Sequence, residues 1–105
     1  MSDFCLILCT CPGHHSAEQL AQHLITEQLA ACVNCIDGVR SYYQWQGQLE
    51  QSQEIQLFIK TRQALYAQVQ QAILALHPYE CPEIVSLPIE QGSHDYLQWL
   101  GESCR

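Results

Sequence analysis

Positive charge is what this 105-residue sequence has least of: Arg40, Lys60, Arg62 and Arg105 stand against 11 Asp and Glu residues, for a net charge of −7. Nucleic-acid binding rests on clustered Lys and Arg, so four scattered cations argue against it. Long apolar runs are missing too. The longest, Phe4 to Cys9, is six residues, far short of the roughly 20 that span a membrane. It has no basic lead and no cleavage site, so no secretory signal is expected. The sequence has no glycine-rich phosphate loop and no evident Ser, His and Asp set, which removes the usual signatures of nucleotide and acyl-transfer enzymes. Repeats, linkers and low-complexity tails are also lacking, and a single domain over residues 1–105 is expected.

Cysteine, by contrast, is plentiful. Seven thiols are an odd number, and no export signal accompanies them. They read as reduced thiols in a cytoplasm rather than as a disulfide framework. An acidic surface suits metal cations, although solubility accounts for it equally well.

The apolar run Phe4–Cys9 predicts a central strand buried on both faces. Thr10 to His15, with Pro12 and Gly13, predicts a turn. Ser16 with Gln19 forms a capping box ahead of Ala17, Leu20, Ala21, Leu24 and Ile25 at helical spacing, so a helix is expected over Ala17–Leu29. Ala31–Ile36 is apolar enough for a second strand, in which Asp37-Gly38 marks a bulge rather than an end. Extension resumes through Tyr42, Tyr43 and Trp45 until Gln46-Gly47 turns the chain. Ile55, Leu57 and Ile59 alternate in a third strand. A second helix begins near Thr61–Gln63 and presents Leu65, Val69, Ala72, Ile73 and Leu76 on one face. Pro78 ends it, because proline pushes His77 out of the helical basin. Val85, Leu87 and Ile89 then alternate in a fourth strand, and Pro88 there implies an unpaired side. Ser93 caps a short last helix with Tyr96, Trp99 and Leu100.

The order is βαββαβ plus a terminal helix: an α+β, ferredoxin-like sandwich with two helices on one face of an antiparallel sheet. The hairpin within Ala31–Thr61 is too long for a monomer. Its arms of about fifteen residues compare with a usual strand of about five or six, and at roughly 3.3 Å per residue each could reach near 50 Å. Tyr42, Tyr43, Trp45 and two edges would be left open, which proteins avoid, so pairing with another subunit is expected.

The same topology places the end of the first strand, the loop with Cys11, His14 and His15, the end of the second helix at His77, and Tyr79–Glu83 on one rim, with Lys60 at the opposite end. Cys9 and His77 on that rim make a soft-metal pair suited to Cu(I) or Zn(II), and Cys11 joins them only if the strand persists that far. Cys5, Cys32 and Cys35 read as small buried hydrophobes. His14, His15, His23 and His94 read as surface residues. His77 could instead serve only to complement the negative end of its helix. A Cys9 nucleophile with His77 as base lacks a third orienting group, so no enzyme is expected.

Leu29-Ala30-Ala31-Cys32-Val33-Asn34, Tyr42-Tyr43-Gln44-Trp45-Gln46-Gly47, Ile59-Lys60-Thr61 and His77-Pro78-Tyr79-Glu80-Cys81-Pro82-Glu83-Ile84 occur in this order. In them the sequence resembles the divalent-cation tolerance family CutA. Tyr96-Leu97-Gln98-Trp99 resembles that family's last helix. The resemblance implies a homotrimer like the PII signalling proteins, with long hairpins joining sheets between subunits, and a role in tolerance of copper or other divalent metals. Copper ligands of the family fall on Cys9 and His77. Some bacterial members carry a second histidine where this sequence has Leu76, a ligand that Cys11 or His14 would have to replace. Two protein ligands suit linear Cu(I) better than tetrahedral zinc. Two other readings stay open. One is a PII-like scaffold binding a small effector in intersubunit clefts lined by Lys60, Tyr79 and Glu83. The other is a ferredoxin-like metallochaperone, against which the Cys-x-Cys spacing and the long hairpin both count.

Overall fold

A computed structural model describes residues 3–105. Its elements are β1 (Phe4–Cys11), α1 (His14–Thr26), β2 (Cys32–Trp45), β3 (Gln48–Arg62), a 3-10 turn at Gln63–Leu65 leading into α2 (Tyr66–Leu76), β4 (Val85–Pro88) and α3 (His94–Glu102). The strands form one antiparallel sheet in the order β2-β3-β1-β4. This is the ferredoxin-like α+β arrangement that the sequence predicts.

Alternation along β1 sorts its side chains between two faces. Cys5, Ile7, Cys9 and Cys11 have no exposed surface and pack with Ile55, Leu57 and Ile59 of β3, Leu20 and Leu24 of α1, and Val69 and Ile73 of α2. Leu6, Leu8 and Phe58 point the other way and are half-buried. Ile36, Val85 and Leu87 share that second face and are 41%, 48% and 49% exposed. Burial of β1 on both faces is therefore met on one side only within a single chain.

β1 also runs two residues past the expected Cys9, so the turn begins at Pro12. The first helix is shifted against expectation as well. It spans His14–Thr26 with Gly13 at its N-cap. Ser16 lies inside the first turn, where its hydroxyl donates back to the Gly13 carbonyl at 3.3 Å instead of capping. The helix stops before Leu29 because Gln28 takes a left-handed φ of 57°, and the Leu29 amide closes the end by donating to the Leu24 carbonyl.

The long hairpin is present. β2 has 14 residues and β3 has 15, joined by Gln46-Gly47 with φ of 53° and 79°, a two-residue turn with both positions left-handed. The register jumps from Ile36↔Gln56 to Val39↔Glu54, so Asp37 and Gly38 (φ 76°) together face Ile55. This bulge swaps the parity of β2: Cys32, Asn34 and Ile36 share a face with Val39, Ser41, Tyr43 and Trp45. The hairpin lengthens the molecule to 45 Å. The radius of gyration is 14.2 Å, against about 13 Å for a compact chain of this size.

Candidate functional site

Because β1 persists to Cys11, Cys9 and Cys11 point from the same face of one strand, both fully buried. α2 ends at the same rim, where Pro78 follows His77, and the His77 amide closes the helix on the Ile73 carbonyl at 2.8 Å. The two sulfurs and an imidazole nitrogen all lie within 4.8 Å of one another. Among the described residues this is the one group of three or more such ligand atoms close enough to hold an ion. The two thiols share a hydrogen bond. Cys11 is the one that ionises: its pKa is lowered by the Cys9 thiol and by the Ser16 hydroxyl, against the opposing effect of burial. Cys9 is pushed strongly upward, first by that same bond and then by burial.

His77 is engaged at both ring nitrogens. Nε2 lies 2.7 Å from the Thr10 carbonyl oxygen, which can only accept, so Nε2 carries the proton. Nδ1 accepts from the Tyr79 amide at 3.1 Å. The ring therefore pins the end of β1 to the segment leading into β4. A metal bound at Nε2 would replace the bond to Thr10, whereas an ion held by the two sulfurs leaves both bonds in place. Two thiols and one imidazole are a soft donor set, which fits Cu(I) and Zn(II) and disfavours magnesium or calcium.

On the opposite face of the sheet the same rim forms a cleft of about 740 Å³. Thr10, Ser41, Tyr43, Trp45, Glu50 and Glu54 form its floor, and Pro78 to Cys81 with Glu83 form one wall. Glu54 is 6% exposed and accepts from the Tyr79 hydroxyl at 2.8 Å. Burial first, and that bond second, raise the Tyr79 pKa strongly above its ordinary value. Gln56 donates to the Cys9 carbonyl at 3.1 Å and reaches Glu83 at 3.5 Å.

Of the residues singled out from sequence, Cys9, Cys11 and His77 converge, and Tyr79 and Glu83 meet in the cleft. Lys60 does not join them. It lies at the far end of β3, opposite Cys32, and donates to the Tyr96 hydroxyl at 3.3 Å. A cleft holding Lys60 with Tyr79 and Glu83 would need that lysine from another chain. Sequence reasoning missed Glu50 and Glu54. Strand parity could have found them, since positions 50, 52, 54 and 56 of β3 share one face.

A family model described as "CutA1 divalent ion tolerance protein" matches residues 5–103. The "Divalent-cation tolerance protein CutA" of Thermus thermophilus is 43% identical over 98 residues, covering 93% of this chain and 95% of that protein. Its counterpart in Pectobacterium atrosepticum is 43% identical over 109 residues, covering 100% and 96%. The crystal structure of CutA from Xylella fastidiosa superposes with a TM-score of 0.96 at 41% identity, over 99% of this chain and 100% of that one. From the topology of the sheet to the length of the match, these observations agree: the chain belongs to the CutA1 divalent ion tolerance family.

Proposed function

We propose that this chain is a metal-tolerance protein that takes up Cu(I) through Cys9 and Cys11, with His77 as a third donor, and works as a homotrimer in a reducing cytoplasm without catalysing a reaction. The observation that carries the reading is the convergence of the three ligand atoms within 4.8 Å. Two thiolates satisfy linear Cu(I), and the imidazole makes the site three-coordinate. Cys11 takes the place of the ligand lost at Leu76. Seven free thiols accord with a reducing compartment. The long hairpin and the half-covered second face of the sheet support the trimer. The test is Cu(I) competition titration of assembled wild type, Cys9→Ser, Cys11→Ser and His77→Gln. Glutamine retains a donor for Thr10. Each serine variant is expected to bind at least about tenfold more weakly, and His77→Gln less severely. Equal affinity in all four would remove the site.

A second reading, the effector-binding scaffold, is favoured by the cleft that contains Tyr79 and Glu83. The two readings occupy opposite faces of the sheet and are compatible.

A further inference from the structure

The cleft has a charge. Glu50, Glu54, Glu80 and Glu83 line it, together with Tyr43, Trp45 and Tyr79, and no Lys, Arg or His is among the lining residues. Glu54 is nearly buried, yet its only bond is the one that Oε2 accepts from Tyr79, and no cation pairs with any of the four carboxylates among the described residues. A buried carboxylate without a counter-charge is costly and calls for a partner. This chain has little to offer one. Lys60 is engaged with Tyr96, Arg62 with Gly101 and Arg105 with Glu27. Arg40 pairs with Gln53, so it points to the other face of the hairpin.

Resting on the effector-scaffold reading, we propose that the cleft binds an organic ammonium cation, not the anionic effector that a basic cleft would take. Aromatic faces with carboxylates behind them are the chemistry that recognises alkylammonium groups, through cation–π attraction within about 6 Å of a ring. A compact metal ion fits less well, because the four carboxylates do not form a group close enough to coordinate one. An ammonium carried on a carbon skeleton can meet separated carboxylates while covering the Tyr43 and Trp45 rings. The bulge at Asp37-Gly38 makes this possible, since it turns those two rings toward Glu50 and Glu54.

The test uses tetramethylammonium chloride at constant ionic strength and follows Trp45 fluorescence in Trp99→Phe, which leaves a single tryptophan. A saturable change is expected, with none from neutral tert-butanol. Glu54→Gln keeps an acceptor for Tyr79 and removes the charge, and is expected to weaken binding by about tenfold. Glu50→Gln, at an exposed position, repeats the comparison without disturbing a buried group. The proposal is overturned by no saturable response, by unchanged affinity in both glutamine variants, or by magnesium chloride acting as effectively as the ammonium. It is also overturned if binding appears only after Arg40→Ala, since the cation would then be supplied by a second copy. Cu(I) titration of the same preparation reads the thiol site independently, so failure of one site leaves the other standing.

Discussion

At the scale of the residue, Tyr79 ties the two candidate sites together. Its amide holds His77 Nδ1 and its hydroxyl holds Glu54. Its pKa is raised above the ordinary 10.0 by burial and by Glu54. The folded state therefore keeps the phenol proton at pH values where the unfolded chain releases it. Stability gained this way is complete below about pH 10 and declines as pH rises further. The expected result is that Tyr79→Phe lowers the urea midpoint at neutral pH and that its gap from wild type narrows above pH 10. A gap constant to pH 11 would mean that the hydroxyl contributes nothing through its proton. The sequence made Cys9 and His77 legible because the strand and helix ends are marked by composition and by Pro78. It left Cys11 conditional, since Pro12 and Gly13 gave no sign of which residue ends the strand. The Tyr79–Glu54 bond was out of reach, because nothing local links positions 25 residues apart.

At the scale of the element, the two serine caps diverge. Ser93 is a true cap, its hydroxyl oxygen accepting from the Tyr96 amide at 3.3 Å. Ser16 has the same sequence signature but lies one turn inside α1. Ser93→Ala should cost about 1 kcal/mol, while Ser16→Ala should stay within about 0.5 kcal/mol. Chemical denaturation at one fixed protein concentration checks both, and equal losses would restore the capping box at Ser16. The error has a physical source. Gly13 can start a helix without any side-chain cap, and sequence pattern gives no weight to that option. The hairpin was read more securely, because a run of extended residues with one Gly at the bulge and one at the turn leaves few alternatives. The bulge was foreseen, but its effect on parity was not. Only the paired register reveals that Tyr43 and Trp45 share a face with Glu50 and Glu54.

At the scale of the whole molecule, the second face of the sheet and the hairpin both point outward. Ile36, Val85 and Leu87 are exposed on that face, and Trp45 is 46% exposed near the hairpin tip. We expect sedimentation equilibrium to give a trimer at micromolar concentration, and a monomer would remove the assembly from the proposed function. Trp45→Ala should loosen that assembly by deleting a large apolar anchor. An unchanged melting temperature and mass would assign the indole to the cleft alone.

The central position of β1 has a consequence during synthesis. β2 and β3 pair locally across a two-residue turn, but β1 must wait for β3, where Phe4 meets Arg62, and for β4, where Cys5 meets Pro88. Contacts so far apart in the chain close late. At roughly 5–20 residues per second, the first strand to leave the ribosome stays unpaired for a time on the order of seconds. Cys9 and Cys11, which have no exposed surface once folded, are open to copper and to oxidants during that interval. The nascent chain is thus the form in which this dithiol is most reachable.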